Sequence, residues 1–154
     1  MRNRTTVHWV LVADSGQARI LELQRKPYSF RLVAERISEA QHLSNRELVS
    51  DASGRAYHVQ GPGSHAKMPR SDPHELAEAE FTRSLAETLE RARRLNSYDH
   101  LVLIADPRTL GRLRQELSPA VSAQVSEEFG IDLASVPLNK LEPRIRGVLG
   151  WKAS

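Results

Sequence analysis

The stretch Leu101-Val102-Leu103-Ile104-Ala105-Asp106-Pro107 decides the fold class of this 154-residue chain. Its first five residues are apolar without interruption, which is typical of a strand covered on both faces. Asp106 and Pro107 then supply a helix cap and a favoured first helical residue, so a helix begins where the strand ends. A buried strand that leads directly into a helix predicts an α/β fold.

The residues after this stretch continue the alternation of helices and strands. The helix that begins at Asp106-Pro107 is predicted to reach Leu117. Ser118-Pro119 is a second start signal of the same kind and predicts another helix to about Glu128. After Gly130, the apolar residues between positions 131 and 136 predict a short strand.

Two more helices carry their own boundary signals. Asp72-Pro73-His74-Glu75 predicts the start of a long helix, since Asp72 can cap it and Pro73 fits its first position. Asn139 followed by Glu142 resembles a capping box and predicts a last helix that ends near Gly147 or Gly150. The long helix has apolar residues at the spacing of one buried face, namely Ala77, Phe81, Leu85, Leu89 and Ala92.

Three strands are predicted before the long helix. Apart from His8, residues 7–13 are apolar at both odd and even positions, so both faces of the strand would be buried. This pattern indicates a central strand. Residues 17–23 and 28–37 follow after short turns, the latter with Phe30, Leu32 and Ala34 on one parity. The predicted fold is therefore a mixed sheet with an N-terminal antiparallel meander, a long loop, and then the order α-β-α-α-β-α.

Composition limits the class of protein. Hydrophobic residues make up 40% of the chain and charged residues 27%, which is ordinary for a globular domain, and the length predicts a single α/β domain over residues 1–154. No apolar run approaches the roughly 20 residues of a membrane span, and no signal peptide is expected. The absence of cysteine excludes disulfides and thiolate chemistry. We therefore expect a cytoplasmic protein without membrane contact.

In the segment 38–71, apolar residues recur neither at every second position, as in a strand, nor at every third or fourth position, as in a helix. It contains glycines at 54, 61 and 63 and prolines at 62 and 69, and a loop of this length is usually functional or disordered. We expect it to be the most mobile part of the free protein.

Positive charge is concentrated at the two ends of the chain. Lys and Arg outnumber Asp and Glu by 7 to 3 in residues 1–37 and by 7 to 5 in residues 107–154. This bias suits a phosphate-rich partner.

Several motifs, taken in order, resemble one bacterial family. They are the segment 9–20 (WVLVADSGQARI), the segment 47–51 with Gly54-Arg55, the segment 65–68 (HAKM), the segment 72–75 with Phe81, and the segment 101–105 with Leu110-Gly111 and 117–119. This set is similar to the bacterial host attachment proteins over roughly residues 7–147. That family is in turn similar in fold to the middle domain of archaeal and eukaryotic class-one translation release factors.

The release-factor resemblance implies a mode of binding. In release factors the long loop carries a Gly-Gly-Gln tripeptide into the ribosome, whereas this chain has Gln60-Gly61-Pro62-Gly63-Ser64 and contains no such tripeptide. Peptide-release chemistry is therefore not implied, but insertion of a glycine-rich basic loop into ribosomal RNA is. The implied partner is the ribosome or a structured RNA, with no cofactor, and the protein partners stay unknown.

Candidate interface residues come from the loop and from the helix after residue 106. Glycines allow close approach of a backbone to phosphate, cations neutralise phosphate, and an aromatic ring can stack on a base. Arg108 and Arg112 share one helical face at a spacing of four residues. The candidate nucleic-acid-binding residues are Arg55, Tyr57, Gly61, Gly63, Ser64, His65, Lys67, Arg70, Arg108 and Arg112.

Two alternatives remain open beside a non-enzymatic RNA-binding protein. Ser64-His65 with Asp51 or Asp72 contains the residue types of a hydrolase, although no Gly-x-Ser-x-Gly motif is present. The family name suggests a factor that acts through protein partners in attachment or signalling. The spacing of His58, His65 and His74 matches no metal-site pattern, so we expect no metal. The leading hypothesis, a non-enzymatic protein, assigns no catalytic residue.

Overall fold

The structure, a computed structural model, describes residues 5–24, 29–38 and 72–150. These residues contain a five-stranded sheet in the order β3-β2-β1-β4-β5. Strands β1, β2 and β3 form the predicted antiparallel meander, and β4 and β5 add to it in parallel with β1. The strands are β1 His8–Ala13, β2 Gln17–Gln24, β3 Ser29–Ile37, β4 His100–Ala105 and β5 Val125–Gly130.

Four helices of the described residues cover the two faces of this sheet. They are α1 Pro73–Arg94, α2 Pro107–Glu116, α3 Pro119–Gln124 and α4 Leu138–Leu149. Apolar side chains of α1, α2 and α3 pack in one cluster with Trp9 and Leu11 of β1. Side chains of α4 pack on the other face with Val10 and Val12. The α/β class with a mixed sheet and the predicted order of elements are thus confirmed.

The Pro-containing start signals are correct in all three places. The side chain of Asp72 accepts a hydrogen bond from the backbone N–H of His74, and that of Asp106 accepts one from Thr109. The hydroxyl of Ser118 accepts one from the N–H of Val121. Each cap satisfies a backbone donor that the first helical turn leaves free, which is why these short signals fix the helix boundaries so well.

The prediction for residues 125–136 was wrong in position. Helix α3 ends at Gln124 rather than near Glu128, and the strand is β5, Val125–Gly130, rather than residues 131–136. As the last strand of the sheet order, β5 exposes its glutamates to solvent, and charged side chains are common on an edge strand. Leu133 and Ala134 are buried without being part of a strand, and Leu133 packs in the cluster on the α4 side of the sheet.

Two further details differ from expectation. A bulge between Ile20 and Leu21 shifts the register with β3, so Ala34 packs on the α1 side whereas Phe30 and Leu32 pack on the α4 side. An extra residue in one strand reverses the side-chain parity beyond it. The predicted capping box is also wrong, since α4 begins after Pro137 without a side-chain cap. The predicted end at Gly150, which adopts a left-handed φ of 71°, is confirmed.

Candidate nucleic-acid interface

The candidate interface is built around the edge of the sheet at which the parallel strands end. We name this edge the carboxyl edge. It is formed by residues 14–16, 37–38, 106–107 and Gly130. The N–H of Ser38 donates to the carbonyl of Gly16 at 2.8 Å, so β3 ends against the turn between β1 and β2. Ligands of open α/β sheets commonly bind beyond the carboxyl ends of the strands.

The chain leaves and re-enters the described fold at this same edge. It leaves after Ser38 and returns at Asp72, the cap of α1. The first turns of α1 lie beside the end of β3, and Ile37 and Ser38 on one side and Ala77 and Phe81 on the other line a cleft of about 270 Å³. Both attachment points of the predicted loop are therefore at the carboxyl edge.

Arg108 and Arg112 lie on α2, which begins at the carboxyl edge, and both face α1. Arg108 lies 3.3 Å from the carboxylate of Glu78 and 3.6 Å from that of Glu75. Arg112 lies 3.5 Å from the same oxygen of Glu78. The side chain of Arg108 is 57% exposed, so its guanidinium remains accessible. The structure thus brings these two candidates together, as their spacing predicted, and adds two acidic partners.

Polar atoms near these arginines are incompletely satisfied. The Oε1 atom of Glu78, the Oδ1 atom of Asp106 and the Oγ1 atom of Thr109 are enclosed and have no hydrogen-bond partner. Glu78 is therefore held by charge attraction alone, because its contacts with Arg108 and Arg112 lack hydrogen-bond geometry. A long ion pair without hydrogen bonds, such as the one to the 57%-exposed Arg108, contributes little to stability.

The opposite end of α1 has the same residue types in a different geometry. Glu90 accepts from Arg93 at 2.9 Å, from Arg94 at 2.8 Å and from the hydroxyl of Ser118 at 2.9 Å. The hydrogen bond from Arg93, followed by that from Ser118, lowers the pKa of Glu90 from 4.5 to about 2. Burial raises the pKa of Tyr98 to about 12, and its hydroxyl donates to the carbonyl of Leu89.

The other eight candidates, from Arg55 to Arg70, lie outside the described residues, as do residues 39–71 of the loop whose mobility was predicted. Trp9 is in the core beside Tyr98, as expected for a central strand, and His74 is exposed.

In the described part of the chain, no three histidine, aspartate or glutamate residues are grouped so that they could hold a metal ion. None of its helices has both the length and the apolar content that a bilayer span requires.

Reasoning from the sequence missed the acidic side of this site. Glu75 and Glu78 lie three residues apart in α1, and their spacing would have placed both on one helical face. The packing of α1 against α2 determines that this face meets Arg108 and Arg112. That packing is a tertiary contact, and no local pattern in the sequence indicates it.

Comparison with known proteins confirms the resemblance to the bacterial host attachment proteins. Residues 9–145 match the family described as "Protein required for attachment to host cells". The match runs from within β1 to within α4, which is most of the chain, and the chain therefore belongs to this family. No curated protein sequence matches it. The family description names a biological outcome and states no mechanism.

Proposed function

We propose that this member of the host attachment family is a non-enzymatic, cytoplasmic RNA- or ribosome-associated protein that binds through its glycine-rich basic loop and the adjoining arginines of α2. The observation that carries the proposal is the common position of these parts. The segment with Arg55, Lys67 and Arg70 is attached on both sides at the carboxyl edge, where α2 with Arg108 also begins.

Charge and accessibility at this edge support the proposal. Phosphate contacts dominate the affinity of proteins for nucleic acid, and arginine is well suited to them because its planar fork matches two phosphate oxygens. Arg108 is more than half exposed, and its ion pairs with Glu75 and Glu78 are long. A phosphate that approaches the edge would therefore compete with weakly held carboxylates.

We further propose that the chain shares a mode of binding with the release-factor middle domain, which its sequence motifs resemble through the host attachment family. The loop is proposed to insert into RNA as the release-factor loop does, without the peptide-release step, because the Gly-Gly-Gln tripeptide is absent. Tyr57 in the loop is proposed to stack on an exposed base.

The experiment compares ribosome co-sedimentation of the wild type and of the triple variant Arg55→Glu, Lys67→Glu and Arg70→Glu at two salt concentrations. We expect binding by the wild type that weakens steeply with salt, and loss of binding in the variant with an unchanged circular dichroism spectrum. Absence of wild-type binding to ribosomes or RNA at low salt would refute the proposal.

A second triple variant serves as the matched control. Arg91→Glu, Lys140→Glu and Arg144→Glu change the net charge by the same amount at exposed positions of α1 and α4. We expect this variant to retain most of the binding, since only the general charge is altered. If it loses binding and the loop variant does not, the interface lies at these exposed positions of α1 and α4 instead.

A further inference from the structure

A glycine lies in the middle of α2, where it weakens the helix. Gly111 is the fifth of the ten residues of α2, and in a helix interior only proline is less favourable than glycine. The left-handed backbone found at Gly150 does not occur at Gly111. Apart from the backbone of α2 and the two chain neighbours, no atom of the described residues lies within 4 Å of the position that a Cβ would take. Neither backbone conformation nor packing among the described residues therefore requires a glycine here.

Gly111 is on the outward face of α2. The buried residues of this helix face the opposite way, into the core. Four exposed residues share the outward face with Gly111 at helical spacing, namely Pro107, Arg108, Arg114 and Gln115. One arginine thus precedes Gly111 by three residues, and the other follows it by three.

The two arginines lean away from Gly111 to opposite sides of α2. Arg108 approaches α1, where its Nη2 atom is 3.3 Å from the carboxylate of Glu78. Arg114 approaches β5, where its Nη2 atom is 2.7 Å from the carboxylate of Glu128. The side chain of each arginine is 57% exposed. The helix surface at Gly111 is therefore left uncovered, with an accessible guanidinium on either flank.

We propose that the sugar-phosphate backbone of RNA crosses α2 over Gly111, where Arg108 and Arg114 contact phosphates on the two flanks. This inference rests on the proposed function and deepens it, because it assigns the contact of α2 to the RNA backbone rather than to bases. It also adds Arg114 to the interface in preference to Arg112, whose side chain is only 24% exposed. Glycine permits the close approach of a backbone, and arginine contacts to phosphate position a nucleic acid without reading its sequence.

The chemistry of this face favours nucleic acid over a protein partner. The centre of a protein interface is usually apolar and poor in charge. In the described part of the chain, the large apolar residues that are exposed are Ile37, Leu76, Leu95, Ile131 and Leu138. None of them lies on α2, whose outward face offers two cations and an amide around the glycine.

The first test is Gly111→Ala, with Gly147→Ala as its matched control. Gly147 is exposed in the last turn of α4, and a Cβ added there would also be in open space. Alanine is the better helix former, so both variants should raise the melting temperature of the free protein. Only Gly111→Ala should weaken binding, by several-fold, to purified ribosomes and, in separate titrations, to protein-free ribosomal RNA.

The outcomes of this test separate the inference from the proposed function. If the wild type binds neither probe, the proposed function fails and this inference fails with it. If the wild type binds and Gly111→Ala binds equally well, only this inference is overturned. A lower melting temperature of Gly111→Ala would show that the glycine serves the fold, which also overturns it. Weaker binding to ribosomes but not to ribosomal RNA would assign the contact to a ribosomal protein and overturn the RNA contact.

The second test concerns the flank that the proposal adds. Arg114→Gln should weaken binding to both probes by a few-fold and lower the slope of log affinity against log salt concentration by about one, as the loss of one phosphate contact does. Arg83→Gln on α1 is the matched control, because its side chain is also 57% exposed and also pairs with a glutamate, Glu116. We expect the slope of this control to equal that of the wild type. Equal slopes in Arg114→Gln and Arg83→Gln would overturn the proposal.

Discussion

The two ends of α1 differ in how they use glutamate and arginine. At the C-terminal end, Glu90 accepts hydrogen bonds of 2.8 to 2.9 Å from Arg93 and Arg94. At the N-terminal end, Glu78 lies 3.3 to 3.5 Å from Arg108 and Arg112, and its enclosed oxygen has no hydrogen bond. The same residue types therefore stabilise the fold at one end and only keep arginines in place at the other.

This difference agrees with the position of each end in the fold. The C-terminal end of α1 meets the amino ends of β1 and β4, where Tyr98 packs beside Trp9. The N-terminal end lies at the carboxyl edge, next to the attachment points of residues 39–71. Functional sites are commonly drawn from the less stable parts of a protein. We infer that the C-terminal end anchors α1 and that the N-terminal end is the part adapted to a partner.

The largest expected change in the free energy of unfolding follows removal of a core side chain at the C-terminal end of α1. Tyr98 is 1% exposed, and its ring centroid lies 4.9 Å from that of Trp9. Tyr98→Ala should lower the free energy of unfolding by about 3 to 5 kcal/mol in denaturant titrations. Leu76→Ala, a change at the 55%-exposed leucine of the N-terminal end, should alter it by less than about 0.5 kcal/mol. Similar losses in the two variants would contradict the difference between the ends.

A smaller effect is expected at the first residue of the other end. Asp72 caps α1 through its hydrogen bond to the N–H of His74, at 2.9 Å. Asp72→Ala should lower the free energy of unfolding by about 1 kcal/mol, whereas Asp72→Asn should retain most of it because asparagine caps equally well. The midpoint and slope of urea unfolding measure both. A loss of the same size in the alanine and asparagine variants would show that the cap contributes nothing.

The pH dependence of stability should originate in part from Glu90. The pKa of Glu90 is lowered in the folded chain from 4.5 to about 2. The folded state therefore binds a proton less readily than the unfolded state, so the contribution is fully present above about pH 4.5 and is lost as pH falls towards 2. We expect the melting temperature to fall in this window and to fall less in Glu90→Gln. The exposed Glu87→Gln should follow the wild type, and a Glu90→Gln curve parallel to the wild type would be inconsistent with this assignment.

The sequence predicted those parts of the fold whose signals are local. The apolar run of β4 and the Asp-Pro and Ser-Pro starts of α1, α2 and α3 lie within a few residues, and all four were correct. Strand β5 was misplaced because an edge strand is selected by its pairing with β4, which its glutamates do not reveal. At the candidate interface, the shared face of Arg108 and Arg112 was predictable from their spacing, whereas Glu78 opposite them was not.

The smallest expected effect concerns the loose ion pairs at the carboxyl edge. If Glu78 holds Arg108 and Arg112 until phosphate replaces it, Glu78→Gln should raise the affinity for ribosomes or RNA by a few-fold and steepen its salt dependence. Stability should change by less than about 1 kcal/mol, because such pairs contribute little. Filter binding at several salt concentrations measures the affinity, and thermal unfolding measures the stability.

Glu116→Gln is the matched control for this change. Glu116 pairs with Arg83 at 3.7 Å at the far end of α2, so its neutralisation alters the net charge equally without release of Arg108 or Arg112. A larger affinity gain in Glu78→Gln than in Glu116→Gln would assign the effect to the released arginines rather than to net charge. Equal gains would mean that Arg108 and Arg112 serve only to join α1 to α2. The two ends of α1 would then both be structural, and binding would depend on the loop residues alone.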